Sequence, residues 1–320
     1  MDCYILRSFL DLVPLRVTGT IYSMFANVET FLPDLGAFPV RGPGPRPRSA
    51  ASSLRGGLPA GSMRRHSAGM IVLFTDFGPS GPYLGQMKAV LARDAPGVAV
   101  IDLLSDAPAF DARSSAYLLA AYAPEFPTGT VFLCVVDPGV GGARAPLAVS
   151  AAERWYVGPD NGLIAIVMRR AGAAQAGGPK VWEIAWRPER LSATFHGRDL
   201  FAPVAARLAR GESPPGDERP AERVRAMAGS DWPDDLARIV YIDHYGNAVT
   251  GLRAAQLAPA AVLRAAGREL RRAAHFSDLP RGQPFWYENA NGLAEIAVNQ
   301  GRAAQDLGLV LGAEVAVVNE

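Results

Sequence analysis

From residue 70 onward, short apolar runs alternate with segments of helical spacing. Met70–Thr75 reads as a strand, and Tyr83–Asp94 sets Leu84, Met87, Val90 and Leu91 at the interval of one helix face. Val98–Leu104 and Thr130–Val136 repeat the strand pattern, with a second helix predicted over Ala112–Ala123 between them. Pro146–Ala151, Arg154–Gly158 and Lys180–Ala185 add strands, while Asn161–Ala171 and Arg198–Arg210 read as helices. Alternation of this kind predicts an α/β domain with a mainly parallel sheet and helices on both faces.

The pattern then changes. Gly211–Trp232 contains Ser213-Pro214-Pro215-Gly216 and many charges, the mark of a linker or a solvent-washed connection. Beyond it, Ala237–Tyr241, Ala248–Leu252, Ala261–Ala265, Phe285–Asn289, Gly292–Val298 and Glu314–Val318 are strand-like with little helix. A smaller, mostly β, barrel-like second domain is expected there. The division that results is an α/β domain over 70–212, a linker over 213–235 and a β-rich domain over 236–320. No internal repeat is visible.

The first 69 residues follow neither pattern. Asp2, Arg7, Asp11, Pro14 and Arg16 break the apolar patches before any run reaches membrane-spanning length. Residues 41–69, rich in Arg, Pro, Gly, Ser and Ala, cannot bury enough surface to offset chain entropy. A disordered extension is expected, or a start codon placed too far upstream, with Met63 or Met70 as the start. An organelle-targeting segment fits the Arg and Ser content, but Asp2, Asp11 and Glu29 argue against it.

Composition narrows the function classes. The chain has 320 residues, 49% of them hydrophobic, and a formal net charge of +1, so a globular protein without a dominant nucleic-acid footprint is expected. Lys88 and Lys180 are the only lysines, and the many arginines are scattered rather than gathered into a patch. Cys3 and Cys134 are the only cysteines, and Cys134 falls inside an apolar strand, which disfavours a disulfide and leaves no thiolate metal site.

Candidate chemistry sits at the ends of the predicted strands. Asp137-Pro138-Gly139-Val140-Gly141-Gly142-Ala143-Arg144 leaves the run Val131–Val136, putting a carboxylate, close-approach glycines and a guanidinium at a sheet edge where ligands bind in α/β folds. Asp76 ends the first strand before Gly78, and its acceptor oxygens suit the two donors of a ribose diol. The plain alternatives are that Asp76 caps the helix beginning near Pro82, that Asp137 only forms a turn before proline, and that Arg144 is a solvated surface group. His196, between Phe195 and Gly197, is either a functional imidazole or a cap on the helix that follows. Asp160-Asn161-Gly162 is a turn signal with a supporting part.

These motifs occur in one order: Thr75-Asp76-Phe77-Gly78, Val136 to Gly141 with Arg144, Pro159-Asp160-Asn161-Gly162, Phe195-His196-Gly197-Arg198-Asp199, Asp243 with Gly246-Asn247, and Glu295-Ile296-Ala297. In that order the chain resembles the adenosine-forming S-adenosylmethionine hydrolases, hydroxide adenosyltransferases related to fluorinases and chlorinases, over residues 70–320. The resemblance implies that Asp137, Arg144 and His196 activate water, whereas the halogenating relatives lack this combination. It also implies that Asp76 holds the ribose hydroxyls and Phe110 lines the ribose. Asp243 would meet the methionine amino group, Asn247 the adenine edge, and Tyr245 or Phe276 the adenine face. It further implies S-adenosylmethionine as substrate, no cofactor, a cytoplasmic homotrimer with sites between subunits, and neither nucleic-acid nor membrane partners. Gly142, Tyr245, Gly251 and Ala290 stand where relatives usually carry Thr, Phe, Asn and Ser, and the Ala290 change bears most on the methionine end.

Two alternatives of other classes stand beside this reading. One is a metal-dependent hydrolase using Asp76, Asp137, Asp160, His196 and Asp199. The other is a non-catalytic adenosine or S-adenosylmethionine binding protein.

Overall fold

The structure, a computed structural model, describes residues 69–174 and 178–318. The extension expected over residues 1–69 falls outside these but for Gly69. The first half contains β1 (Met70–Thr75), α1 (Tyr83–Asp94), β2 (Ala99–Leu104), α2 (Ala112–Tyr122), β3 (Val131–Val135), β4 (Pro146–Ala151), β5 (Arg154–Pro159), α3 (Ala165–Ala174), β6 (Lys180–Ile184), α4 (Ala202–Ala209), β7 (Gly216–Glu218) and α5 (Ala221–Arg225). The second contains β8 (Leu236–Ile242), β9 (Ala248–Arg253), β10 (Val262–Ala265), β11 (Arg268–Leu270), β12 (Pro284–Glu288), β13 (Leu293–Val298), α6 (Ala303–Asp306) and β14 (Ala316–Val318).

Seven strands form one sheet in the order β2-β1-β3-β5-β4-β6-β7. The central strands are apolar on both faces because both are covered. Val72, Phe74, Phe132 and Cys134 point into one core with α2 and α3, while Ile71, Leu73, Val131 and Leu133 point into the other with α1 and α4. The parallel half runs β2-β1-β3-β5; β4, β6 and β7 pair antiparallel. Antiparallel pairing of β4 with β5 follows from the two-residue turn at Ala152 and Glu153, both at positive φ, which leaves no room for a crossover helix.

Several boundaries move for local reasons. Helix α3 begins at Ala165 rather than Asn161, because Asn161 and Gly162 form a turn and the amide of Ala165 donates to Gly162 O. The helix expected over Arg198–Arg210 opens with a π-helical turn, Gly197–Phe201, before α4. The stretch read as a linker carries β7, hydrogen-bonded along β6, and α5.

The second half forms a four-stranded antiparallel sheet, β12-β13-β9-β8, and a three-stranded one, β11-β10-β14, around a core that includes Ile239, Leu263, Trp286 and Ile296. Single bridges, Arg238 to Glu314 and Arg272 to Trp286, link strands to their neighbours in place of the continuous ladder of a closed barrel. Val240, Val249 and Leu293 pack into the same core as α2 and α3, so the β-rich half seats directly on the α/β half. Among the described residues, no helix is long and apolar enough to cross a membrane.

Candidate active site

Strands β1, β3 and β5 are parallel neighbours, so the carboxylates that follow them, Asp76, Asp137 and Asp160, emerge along one edge of the sheet. After β3 the chain folds tightly: the amide of Val140 donates to Asp137 O and that of Gly142 to Gly139 O. Gly141 has φ +80°, and a Cβ there would lie 2.5 Å from Ala193 O, so glycine lets this loop press against the segment that leads to His196.

The loop turns Arg144 back onto Asp137. Its Nε donates to Asp137 Oδ1 at 2.7 Å and its Nη2 to Oδ2, a bidentate pair whose side chains are only 10% and 4% exposed. Arg144 is therefore not the solvated surface group of the plain alternative. The same Nη2 contacts His196 Nδ1 at 3.0 Å. Guanidinium has no acceptor, so Nδ1 must accept, and the imidazole proton resides on Nε2. Burial, then the charge of Arg144, holds His196 below the ordinary histidine range against the opposing pull of Asp137. His196 begins the π-helical turn without a side-chain capping bond, so the capping alternative fails as well.

Asp76 lies on the same edge. It does not cap α1, whose N-cap is Pro82 without a side-chain bond; its Oδ2 instead accepts the amide of Phe110 at 3.0 Å. Burial raises the Asp76 pKa most, opposed by that amide and reinforced by nearby Asp137. Phe110 is held at φ +63° and is 77% exposed, an aromatic residue presented to solvent on a strained backbone. Phe77 packs on Tyr83 and Phe195, with centroids 5.6 and 5.8 Å apart, which ties the loop carrying Asp76 to the segment carrying His196.

The remaining predicted residues gather elsewhere. Asp243, Tyr245, Asn247 and Phe276 line one cavity of about 550 Å³, together with Tyr122, Tyr241, Tyr287, Asn289, Ala290 and Glu295. Asp243 closes a tight turn, accepting the Asn247 amide at 2.8 Å, while Tyr245 stands 71% exposed. None of Asp76, Phe110, Asp137, Arg144 and His196 lines this cavity. Among the described residues, the predicted site is thus two groups within one chain. A larger cleft, of about 1210 Å³, runs past Trp186, Arg198 and Arg207; of the candidate residues named from the sequence it is lined by Asp199, from the metal-dependent alternative.

Residues 71–216 match the family pattern described as SAM hydroxide adenosyltransferase N-terminal domain, and residues 237–316 match its C-terminal counterpart. The chain belongs to the SAM hydroxide adenosyltransferase family. This family member is 41% identical over 255 residues to a protein of Thermus thermophilus named (R)-S-adenosyl-L-methionine hydrolase, an alignment covering 77% of this chain and 98% of that one. It is 38% identical over 253 residues to a protein of the same name from Salinispora arenicola, covering 76% and 95%. Among solved structures it is similar to an uncharacterized conserved protein from Thermotoga maritima, with TM-score 0.68 and 29% identity over 78% of this chain and all of that one.

In this adenosyltransferase-family chain, the carboxylates named for a metal site do not converge. Asp137 pairs with Arg144, Asp160 with Arg219 and Asp199 with Arg198. Among the described residues, no group of three or more His, Cys, Asp or Glu is placed to hold an ion. Two of the unusual small residues have local causes. At Gly251 a Cβ would sit 2.6 Å from Leu236 Cβ, and at Gly142 it would sit 3.0 Å from Gly139 O.

Sequence reasoning assigned no role to Glu295, which is 5% exposed and accepts from Tyr287 Oη at 2.5 Å and Asn289 Nδ2 at 2.9 Å. A carboxylate inside the apolar run Leu293–Val298 was the signal available. Arg219 offered none, since it lies in the stretch read as a linker.

Proposed function

We propose that this protein hydrolyses S-adenosyl-L-methionine to adenosine and L-methionine, with Asp137, Arg144 and His196 activating the attacking water. The observation that carries the reading is the Asp137–Arg144–His196 cluster, a largely buried carboxylate–guanidinium pair in contact with a half-buried imidazole.

The leaving group asks little of the protein. A sulfonium sulfur takes the electron pair of its bond to the ribose 5′ carbon and departs as a neutral thioether, without a general acid. Water, with pKa about 15.7, is the difficulty, and some group must take its proton as the carbon–oxygen bond forms. His196 Nδ1 is occupied by Arg144, so only Nε2–H is open, and it donates to the water oxygen. Asp137 keeps lone pairs free beyond the two bonded to Arg144 and receives the water proton. Arg144 holds both partners in place and stabilises hydroxide character in the transition state. Asp76 and Phe110 bind the ribose.

Asp243, Tyr245, Asn247 and Phe276 bind the methionine and adenine ends from a second copy of the chain, in a cytoplasmic homotrimer that uses no metal or organic cofactor. Support for this part comes from the separation of the two groups and from the aromatic rings of Phe110 and Tyr245, which stand exposed in the single chain. Clamping both ends of the ligand fixes the in-line approach, an effect that reaches roughly 7–11 kcal/mol in well-oriented systems.

The test is to incubate the protein with S-adenosyl-L-methionine and resolve adenosine and methionine by chromatography, with binding measured separately. Wild type should form both products. Asp137→Ala should retain the ligand and lose hydrolysis by a factor of about 10²–10⁴, whereas Asp76→Ala should weaken binding itself. Equal turnover in wild type and Asp137→Ala would remove the proposed role of the carboxylate.

A further inference from the structure

The loop bearing Asp137 and Arg144 is anchored from outside at both ends. Asn161 Nδ2 donates to Val136 O, the carbonyl immediately before Asp137, at 2.8 Å. One residue earlier, the amide of Asp160 donates to Ala145 O, the carbonyl immediately after Arg144, also at 2.8 Å. Two consecutive residues at the end of β5 therefore grip the two ends of the segment that carries the carboxylate and the guanidinium. No substrate contact is needed for this; the bonds go to main chain.

The grip is itself braced. Asn161 Oδ1 accepts the amide of Leu163, fixing the side chain inside its own turn. Asp160 Oδ2 accepts from Arg219 Nη1 at 2.7 Å, in a pair with side chains 14% and 11% exposed. Arg219 Nε and Nη2 also reach Glu183 on β6, and its amide donates to Val181 O. Gly162 has φ +94°, and Trp232 packs so closely that a Cβ there would lie 2.3 Å from the indole. Each contact removes a freedom from the turn, and the turn reaches the Asp137–Arg144 segment through its bonds to Val136 and Ala145.

We propose that Asn161 is a positioning residue for hydrolysis, acting through its bond to Val136 O to hold Asp137 in register with Arg144 and His196. The inference rests on the hydrolase reading above for its kinetic consequence, but its geometric content stands apart from turnover. The bond matters because the bidentate Asp137–Arg144 pair and the Arg144–His196 contact share one guanidinium nitrogen, Nη2. A shift of the Asp137 backbone cannot be absorbed by one contact without disturbing the other.

Two variants separate this role from turn stability. Asn161→Ala removes both side-chain bonds. Asn161→Asp keeps an acceptor for the Leu163 amide, and with it the turn, but cannot donate to Val136 O from an ionised carboxylate. Both should lower kcat by about 10- to 100-fold, as expected for a reacting group displaced by about an ångström, with KM for S-adenosyl-L-methionine within about threefold of wild type.

A second readout does not depend on turnover. His196 faces Arg144, Asp137, Arg187 and Asp199. Its NMR titration, assigned with His196→Asn, should have its midpoint below the ordinary value in wild type and should move up toward about 6.5 in Asn161→Ala, as the Arg144 contact loosens. Unchanged kcat in both variants would overturn the proposal. A rise in KM with kcat unchanged, which would make Asn161 a substrate contact, or a His196 midpoint that does not move would overturn it as well. Wild type that makes no adenosine would instead defeat the hydrolase reading and leave the titration to decide the positioning role.

Discussion

The three groups at the centre of the proposed site, Asp137, Arg144 and His196, are ordinary residue types made particular by their partners. Imidazole alone could carry its proton on either nitrogen; opposite a guanidinium it has no choice. A histidine whose folded pKa is depressed binds its proton later than in the unfolded chain. Between the folded value and about 6.5, the unfolded state holds more protons, so stability rises with pH. The contribution of His196 is therefore present above about 6.5 and lost as pH falls through its folded pKa. Activity should follow the same group: kcat/KM should decline on the acid side with a midpoint below about 6.5, measurable in a pH–rate profile. Arg144→Lys should lower turnover by about 10²–10³ in the adenosine assay, because an ammonium cannot reproduce the bidentate contact with Asp137 while also reaching His196.

At the scale of the element, the site depends on how closely loops approach. Asp137–Arg144 packs on the Ala193 backbone only because Gly141 lacks a side chain, and its φ favours glycine independently. Gly141→Ala should destabilise the fold by about 1–3 kcal/mol in urea denaturation and depress kcat more than KM, since the strain falls on the loop carrying Asp137 and Arg144. Behind that loop, β3 lies between β1 and β5 and is buried over its full length. Truncating its centre, Leu133→Ala, should cost about 2–5 kcal/mol in the same measurement. These elements were the most legible part of the chain. The end of β1 and the start and end of α1 fell where the apolar spacing put them, because strong periodicity and burial agree there. The start of α3 did not, because a turn formed by Asn161 and Gly162 is chemically compatible with a helix start and only its contacts to Val136 and Trp232 decide between them.

For the whole molecule, the two groups of site residues are the decisive feature. Phe110 and Tyr245 stand on the surface of the single chain at 77% and 71% exposure, where the proposed trimer places a neighbouring copy. In a trimer whose sites join one half of a chain to the other half of its neighbour, two inactive variants can complement each other. Asp137→Ala and Asp243→Ala, each inactive alone, should regain about a quarter of wild-type turnover when unfolded and refolded together in equal amounts. No recovery in a mixture shown by sedimentation to contain mixed oligomers would place each site within one chain.

By itself, the sequence determined the sheet-and-helix order and offered Asp137, Arg144 and His196 as candidate reactive groups. Apolar periodicity and strand-end chemistry are local, and local information is enough to read them. It also carried the family pattern, since that too is an order of residues along the chain. Tertiary structure alone decided the antiparallel half of the sheet, the tautomer of His196 and the burial of the Asp137–Arg144 pair. It alone showed the reach of Arg219, from a stretch that looked like a linker, to the turn that grips the site. Each of these depends on groups distant in sequence meeting in space, and no spacing along the chain encodes which donor will find which acceptor.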